Sequence, residues 1–237
     1  MTVLNMKDVS FGYEKKYIIE NISLKISSNE KLGLIGPNGA GKTTLFYLMS
    51  GIYKPKKGEI FLYDKKVIAG KFYPKLGMIF QNPDDQLIHP SVWDDIAFGP
   101  TNMGLSHDDI EKRVEDALKI LHIEKLKDRV PHQLSGGEKR LVAIAGILAM
   151  KSSFVIYDEP TSNLDMRHRR LLIDFLKTST EDARIIASHD LEFILESCDR
   201  VIVFDHGKIQ GDGHPKEILS NAQLMEEHGL EVPYSLR

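Results

Sequence analysis

The sequence predicts an α/β fold in which a parallel sheet forms the core, an antiparallel β subdomain surrounds its first motif and an α-helical subdomain is inserted. Three observations support this prediction. Short apolar runs typical of buried strands alternate with helical patterns, partial apolar–polar alternation fills the N-terminal segment, and a glycine-rich loop joins a strand to a helix. The 237 residues are 42% hydrophobic, which is enough apolar material for one large or two small domains.

The N-terminal segment is predicted to form an antiparallel β layer. In two stretches apolar and polar residues partly alternate, which indicates short strands broken at Gly12 and Asn21. Two further strand signals follow. These signals lie in residues 3–11, 18–26, 58–63 and 66–68. A compact apolar strand over residues 31–35 enters the glycine loop, and a short helix over residues 43–50 leaves it, with Gly51 placed to end that helix.

The middle of the chain, from about Asp84 to Met150, is predicted to be mostly helical because apolar residues recur at helical spacing. Two buried strands, over residues 154–157 and 184–187, flank a helix over residues 167–178, which predicts a parallel core. Strand signals then flank Asp205-His206-Gly207, a predicted hairpin turn, and a short polar helix finishes the chain. The clearest helix face consists of Ile110, Val114, Ala117, Leu118 and Leu121.

Composition excludes some classes of function. The net charge of −3 provides no global basic field, so nucleic-acid binding is disfavoured. The single cysteine, Cys198, rules out an internal disulfide, is typical of a cytosolic chain and is predicted to be a small buried hydrophobe. The longest apolar run, from Leu141 to Met150, is far shorter than the roughly 20 residues of a membrane span, and the first residues lack a signal-peptide pattern. We expect a cytoplasmic location.

The glycine loop has the pattern GxxxxGK[ST], formed by Gly36-Pro37-Asn38-Gly39-Ala40-Gly41-Lys42-Thr43. Glycines in such a loop aim successive backbone N–H groups at one anion, and the helix that follows adds its positive N-terminal end. Lys42 is expected to contact the β and γ phosphates, Thr43 a Mg²⁺ ion and Thr44 the α phosphate. A plain glycine turn with a solvated lysine is the alternative, which the flanking strand and helix disfavour.

Two carboxylates follow the apolar run of residues 154–157. Asp158 and Glu159 stand at the carboxyl end of a buried strand, where open α/β sheets bind ligands. Asp158 is the expected Mg²⁺ partner, and Glu159 is placed to polarise the water that attacks the γ phosphate. The alternative is a solvated acidic turn. The glycine loop elsewhere in the chain favours the functional interpretation.

Ser135 and Glu138 have the spacing of a capping box, so Ser135, Gly136 and Gly137 are predicted to form a helix N-terminus with free N–H groups. Such a helix end attracts an anion, and the γ phosphate bound by a second chain is the natural candidate. Capping alone is the alternative. Two glycines in a first helical turn, however, cost stability without some gain.

Taken in order, these motifs resemble those of an ATP-binding cassette (ABC) ATPase, from the first strand to about Gly213. The resemblance implies a P-loop NTPase (RecA-like) core with an antiparallel β subdomain and an inserted helical subdomain. Tyr13 matches the aromatic residue that stacks on adenine in the family. Gln81 matches the family's loop glutamine, which senses Mg²⁺ and the attacking water. Residues 134–140, which include Glu138, match the family signature. Asp165 matches the loop that meets the partner chain, and His189 matches the switch histidine. Taken singly, each residue also has an ordinary structural explanation.

The resemblance also implies an assembly and a division of the chain. Two chains would form a head-to-tail dimer that holds two ATP molecules, each between one chain's Lys42 and the other chain's Ser135, Gly136 and Gly137. Residues of about 1–81 and 152–213 are predicted to form the nucleotide-binding core with its β subdomain. Residues of about 82–151 are predicted to form the helical signature subdomain, and residues 214–237 a short tail without a dedicated dimerisation domain.

Residues 81–87, 97–100 and 142–150 resemble one importer branch, the energy-coupling factor (ECF) type, which includes cobalt/nickel transport ATPases. In that branch the ATPase drives a transmembrane coupling subunit and a substrate-binding membrane subunit that imports a vitamin or a transition-metal ion. The segment after Gln81 is expected to dock the coupling subunit. Its candidate apolar anchors are Leu87, Ile88, Val92, Trp93, Ile96 and Phe98, beside the acids Asp84, Asp85, Asp94 and Asp95. Ordinary local core is the alternative for any single one of these residues.

Three positions depart from the common family pattern, namely Tyr157, Asn163 and Glu138, and none of them removes a catalytic group. A soluble non-transport ABC ATPase acting on nucleic acid or ribosomes is the main alternative. It would need coiled-coil arms, zinc cysteines or a second cassette, which the sequence does not show. A P-loop kinase or GTPase would have no use for residues 134–138 as a phosphate clamp between chains.

Overall fold

A computed structural model describes residues 1–14 and 16–237 and divides the chain into two compact units. The first unit consists of Met1–Phe72 and Asp182–Arg237, and the second of Tyr73–Glu181. The strands are β1 (Thr2–Tyr13), β2 (Lys16–Ser27), β3 (Glu30–Ile35), β4 (Lys57–Leu62), β5 (Lys65–Lys66), β6 (Leu76–Ile79), β7 (Phe154–Asp158), β8 (Ala183–Ala187), β9 (Arg200–Asp205) and β10 (Lys208–Gly213). The helices are α1 (Lys42–Met49), α2 (Val92–Asn102), α3 (His107–Ile120), α4 (Gly136–Met150), α5 (Met166–Thr178), α6 (Leu191–Ser197), α7 (Pro215–Ser220) and α8 (Ala222–Glu227).

The first unit contains an antiparallel sheet, as predicted, and its strand order is β2-β1-β4-β5. The predicted break at Asn21 is wrong, because β2 runs through this residue, whereas β1 ends at Tyr13, one residue after the break predicted at Gly12. Asn21 adopts a left-handed φ of 51°, and its N–H donates to the Ser10 hydroxyl at 2.9 Å. The irregularity is therefore absorbed within the strand pair, whose register shifts several times, instead of ending it.

The same unit contains a parallel sheet in which β3 lies between β8 and β9, and β10 pairs antiparallel with β9. Leu34 is aligned with Ala187 on one side and with Ile202 on the other, and all three are fully buried. The predicted hairpin turn joins β9 to β10, with positive φ at His206 and Gly207. Two short helices, α7 and α8, follow β10 where one was predicted, because Asn221 caps a new helix. A 3₁₀ helix over Tyr234–Leu236 lies near the end of the chain.

The second unit combines the parallel pair β6–β7 with α2, α3, α4 and α5. Helix α3 buries Ile110, Val114, Ala117 and Leu118, which confirms the predicted helix face. Helix α4 is buried over most of its length, and α2 and α3 pack against it. The α/β fold with a parallel core and an inserted helical region is thus confirmed. Within residues 1–14 and 16–237, no helix combines the length and the apolar character that crossing a bilayer requires.

Candidate nucleotide-binding site

The glycine-rich loop connects β3 to α1 in the first unit. At Gly36, a Cβ atom would lie 1.9 Å from the backbone oxygen of Phe204 in β9, so any other residue would force the backbone apart. Gly41 precedes α1 with φ at 103°, and a Cβ atom there would lie 3.2 Å from both Ile18 and Ile19. Strands β9 and β2 therefore support the loop closely and leave room only for glycine at its first position.

Lys42 lies at the start of α1 and is only 8% exposed. Its ammonium group donates to the carbonyl oxygens of Gly36 at 2.6 Å and of Pro37 at 2.9 Å, so its charge is held over the loop. Thr43 and Thr44 occupy the next two positions of the helix and are half-buried. A fixed cation, hydroxyl groups and the N-terminal end of a helix together form an anion-binding arrangement.

His189 follows β8, and β8 is the parallel neighbour of β3. Because Leu34 is paired with Ala187, the loops that begin at Gly36 and Ser188 leave the same edge of the sheet. His189 is exposed, whereas Ser188 is buried and its hydroxyl accepts from the N–H of Asp190 at 3.1 Å. The fold therefore brings the histidine and the phosphate loop to one edge within the first unit.

The second unit brings Gln81, Asp158 and Glu159 to one edge of the β6–β7 pair. Ile79 is aligned with Tyr157, so the residues that follow each strand leave the pair on the same side. Asp158 and Glu159 are 1% and 5% exposed, and Glu159 has a left-handed φ of 50°. Burying carboxylates is costly unless charges or donors compensate them, which makes a purely solvated acidic turn a poor description of this site.

Arg140 is a residue whose role the sequence pattern did not reveal. It is 1% exposed in α4, and its guanidinium group donates to the backbone oxygens of Phe80 and Gln81. Burial lowers the pKa of Arg140, and the charges of Asp158 and Glu159 oppose that shift. Gln86 adds a second link, because it accepts from the N–H of Phe80 at 3.2 Å and donates to Ala143 at 3.3 Å. Helix α4 is thereby joined to the backbone that carries Gln81.

The predicted capping box is confirmed at the start of α4. The Ser135 hydroxyl accepts from the N–H of Glu138 at 3.3 Å, and the Glu138 carboxylate accepts from the N–H of Ser135 at 2.9 Å. The bond from the Ser135 N–H lowers the pKa of Glu138, and the bond from the Ser135 hydroxyl adds to this effect. Gly136 and Gly137 form the first turn of the helix.

Asn163 lies directly beside these two glycines. A Cβ atom on Gly136 would be 3.6 Å from Cβ of Asn163, and one on Gly137 would be 3.2 Å from the Asn163 backbone oxygen. Asn163 has φ at 63°, a conformation that asparagine tolerates better than most residues, which gives a physical reason for its presence. Asp165, two residues later, caps α5 by accepting from the N–H of His168 at 2.8 Å.

The segment after Gln81 contains fewer exposed anchors than the sequence suggested. Ile88 is 72% exposed and Phe98 is 50% exposed, whereas Val92 and Ile96 are fully buried. The Asp95 side chain is also buried, where it accepts from the backbone N–H groups of Ile88 at 3.0 Å and His89 at 3.1 Å. Val92, Ile96 and Asp95 are therefore parts of the local core. Their inclusion among the surface residues was wrong.

Replacing Ser135 should separate helix capping from phosphate binding. Aspartate caps helices as well as serine does, but its charge repels a phosphate. The Ser135 hydroxyl also donates to the Glu138 carboxylate at 2.9 Å, so an aspartate there meets a like charge. We expect Ser135→Asp to lower the free energy of unfolding by about 1 kcal/mol and the ATPase rate at least about tenfold. Denaturant unfolding and steady-state hydrolysis measure the two effects. Ser135→Thr keeps the hydroxyl and should be active; full activity of Ser135→Asp would show that this helix end only caps.

The predicted site residues thus form two sets, one in each unit. The first unit holds Tyr13, the loop from Gly36 to Thr44 and His189; the second holds Gln81, Ser135 to Glu138, Asp158, Glu159 and Asp165. A strand, a glycine loop with its lysine and a helix, combined with an acidic strand end elsewhere in the chain, define a P-loop nucleoside triphosphatase.

Comparison with known proteins gives the family. The family described as ABC transporter matches residues 19–162. A putative ABC transporter ATP-binding protein of Synechocystis sp. is 50% identical over 235 residues, which cover 99% of this chain and 82% of that protein. The energy-coupling factor transporter ATP-binding protein EcfA of Methanocaldococcus jannaschii is 40% identical over 244 residues, which cover 98% and 86% of the two chains.

A solved structure, cbiO1 from Clostridium perfringens, is described as part of the ABC transporter complex cbiONQ. It is 36% identical to this chain, with a TM-score of 0.80 over 95% of this chain and 94% of that one. The chain belongs to the ABC transporter family of ATP-binding proteins. It is an ATPase that couples ATP hydrolysis to transport.

Proposed function

We propose that this chain is the ATP-hydrolysing subunit of an importer of the energy-coupling factor type, working at the cytoplasmic face of a membrane through partner subunits. The observation that carries the proposal is the similarity, over nearly the whole chain, to proteins named as EcfA and cbiO1. The partners would be a second ATPase subunit, identical or homologous, a transmembrane coupling subunit and a substrate-binding membrane subunit. The cargo would be a vitamin or a transition-metal ion such as cobalt or nickel.

Each site residue has a role in the proposed reaction. Tyr13 stacks on the adenine ring, and the loop from Gly36 to Thr44 binds the phosphates, with Lys42 as the fixed cation. Glu159 polarises the attacking water, while Gln81 and His189 orient the water and the γ phosphate. The burial of Glu159 supports its role, because a low-dielectric surrounding strengthens its interaction with a water proton.

The proposed reaction uses a magnesium ion. Thr43 offers a hydroxyl, Asp158 a carboxylate and Gln81 an amide oxygen, and Mg²⁺ prefers hard oxygen ligands of these kinds. When bound, the ion would neutralise charge that develops on the β and γ phosphates. Few protein oxygens suffice, since magnesium in nucleotide sites keeps water and phosphate ligands.

The proposed dimer is head-to-tail and two-fold symmetric. ATP held by Lys42 of one subunit would also contact the partner's Ser135, Gly136 and Gly137, so that both sites close together. The capping box supports this arrangement, because it satisfies the Ser135 and Glu138 N–H groups and fixes a helix start whose glycine N–H groups can meet a phosphate. Glu138 would support the clamp from its own chain, and Asp165, exposed near the start of α5, would lie at the dimer interface.

The partner in the membrane would contact a docking surface formed by Ile88, Phe98, Asp84 and Asp85. The two apolar side chains are well exposed, and Asp84 is held by Lys139 at 2.6 Å. His89 packs against the Phe98 ring at 4.7 Å between ring centroids, which orients that ring. Exposed apolar side chains beside two acids suit a partner helix with apolar and basic residues.

Substitutions on the docking surface test the proposed function. We expect Ile88→Asp combined with Phe98→Asp to lower recovery of membrane partners at least about tenfold, because exposed anchors dominate such interfaces. Affinity purification from gently solubilised native membranes, followed by mass spectrometry, measures the recovery. ATP binding should be unchanged. Ile120→Asp is the matched control, since Ile120 is 48% exposed on another helix.

The identity of the recovered proteins separates the alternatives. A coupling subunit together with a small integral membrane protein would support the importer, and the small protein would narrow the cargo to a vitamin or a metal. Recovery of nucleic acid or ribosomal proteins, with no membrane protein, would contradict the transport proposal and leave the ATPase in place.

A further inference from the structure

Four aromatic residues of the first unit form a cluster around Tyr13, which we name the aromatic cluster: Phe11, Tyr13, Tyr47 and Tyr53. Tyr13 ends β1 and is 53% exposed, so about half of its surface is open to solvent. Tyr53 lies in the segment between α1 and β4 and touches each of the other three members. Nothing in the sequence motifs marks Tyr53, which is 40 residues from Tyr13.

The contacts of Tyr53 restrict the Tyr13 ring. The Tyr13 hydroxyl donates to the Tyr53 hydroxyl at 3.2 Å, and the two rings meet edge to face with centroids 6.2 Å apart. The Tyr53 ring is in turn stacked on Phe11 at 5.1 Å and 13°. This hydrogen bond raises the pKa of Tyr13, and partial desolvation adds to the shift. An exposed ring that would otherwise rotate about two torsions is therefore held at its rim.

The segment carrying Tyr53 is itself attached at both sides. The N–H of Tyr53 donates to the carbonyl of Tyr47 in α1 at 3.0 Å, and the two rings meet at 5.3 Å and 87°. Three residues later, the Lys56 N–H donates to Ser10 at 2.8 Å and its ammonium group donates to Glu14 at 2.6 Å. Tyr53 therefore connects the helix that begins at the phosphate loop with the end of β1.

The phosphate loop and the β1–β2 pair are also neighbours. Ile18 and Ile19 of β2 lie against Gly41, and Ile19 is aligned with Phe11 of β1. A nucleotide with its phosphates on the loop and its base on Tyr13 would therefore depend on the relative placement of two elements that Tyr53 joins.

We propose that Tyr53 is a positioning residue for ATP: it holds the Tyr13 ring in place for base stacking and fixes that ring relative to helix α1. The inference rests on the proposed stacking role of Tyr13 and extends it to a residue that makes no contact with the nucleotide. Stacking of a base on an aromatic ring contributes most to binding where the ring is already oriented, because no further entropy is then lost in ordering it.

The test compares two ligands that differ in the base. Tyr53→Phe removes the hydroxyl that accepts from Tyr13, and Tyr53→Leu removes the ring. We expect the Kd for ATP to rise about threefold in the first variant and about tenfold in the second, measured by calorimetry with Mg²⁺. The Kd for inorganic tripolyphosphate, which has no base, should be unchanged in both variants, and kcat at saturating ATP should stay within about twofold.

Control variants make the outcome decisive. Tyr234→Phe removes the hydroxyl of an 85% exposed tyrosine in the C-terminal tail and should leave both affinities unchanged. Equal weakening of ATP and tripolyphosphate binding by Tyr53→Leu would overturn the proposal, because it would show a general effect on the loop. Unchanged ATP binding in Tyr53→Leu would overturn it as well.

Tyr13→Ala distinguishes this inference from the function on which it rests. If Tyr13→Ala weakens ATP binding but the Tyr53 variants do not, base stacking stands and the positioning role of Tyr53 is wrong. If Tyr13→Ala itself leaves ATP binding unchanged, the stacking role of Tyr13 fails, and the role of Tyr53 fails with it.

Discussion

Replacing Glu159 with glutamine is expected to lower the rate of ATP hydrolysis at least about a hundredfold while ATP binding is retained. Glutamine has nearly the same shape, so the buried position after β7 should still fold, but an amide cannot accept a proton from the attacking water. Steady-state hydrolysis and equilibrium ATP binding measure the two quantities. Because ATP then persists between the subunits, size-exclusion chromatography with ATP should show a stable dimer.

The matched control is Glu217→Gln, which changes an exposed carboxylate on α7 and should leave hydrolysis unchanged. Wild-type turnover in Glu159→Gln would remove Glu159 from the mechanism. A loss of both binding and hydrolysis, together with reduced thermal stability, would indicate a structural role for this buried residue instead.

Replacing Gly36 with alanine is expected to have the largest effect on binding. The new methyl group would lie 1.9 Å from the Phe204 oxygen, and backbone atoms cannot move aside as a flexible side chain can. We expect a loss of about 2 to 3 kcal/mol in the free energy of unfolding and at least a tenfold rise in the Kd for ATP. Denaturant unfolding and calorimetry measure these changes.

Gly70→Ala is the control for backbone conformation. Gly70 has φ at 76° but no atom within 4 Å of a Cβ atom, so alanine there adds strain without a collision. Its unfolding free energy should fall by only about 1 kcal/mol, with ATP binding intact. If Gly36→Ala behaved like Gly70→Ala, the close approach of β9 to the phosphate loop would not be what requires glycine.

The predictions that succeeded from sequence depend on residues close together in the chain. The capping box needs only Ser135 and Glu138, three positions apart, and the structure forms both of its hydrogen bonds. The helix after the glycine loop and the strand before Asp158 also follow from local pattern, because chain direction and apolar spacing determine them. The proposed roles of these site residues in ATP hydrolysis remain predictions, which the experiments above test.

The predictions that failed concern which side chains are buried and where a strand is interrupted. Val92 and Ile96 are as apolar as Ile88 and Phe98, yet the fold buries the first two and leaves the other two on the surface. Asparagine is a residue type that often ends strands, but Asn21 adopts a left-handed conformation within β2. The side of the helix that faces the core decides whether an apolar residue is buried, and a local irregularity in the strand pair decides whether the strand continues. A local sequence pattern does not specify which neighbour covers a side chain.

The sequence by itself determined the order and chemistry of the motifs: the phosphate loop, the paired carboxylates, the capped glycine turn and the histidine after β8, each defined by a few consecutive residues. Only the tertiary structure decided which side chains support them. Arg140 reaches the backbone of Gln81 across 59 positions, and Tyr53 reaches Tyr13 across 40. Such partnerships arise because folding brings distant segments into contact, and the identity of a supporting residue depends on that contact rather than on its neighbours in the chain.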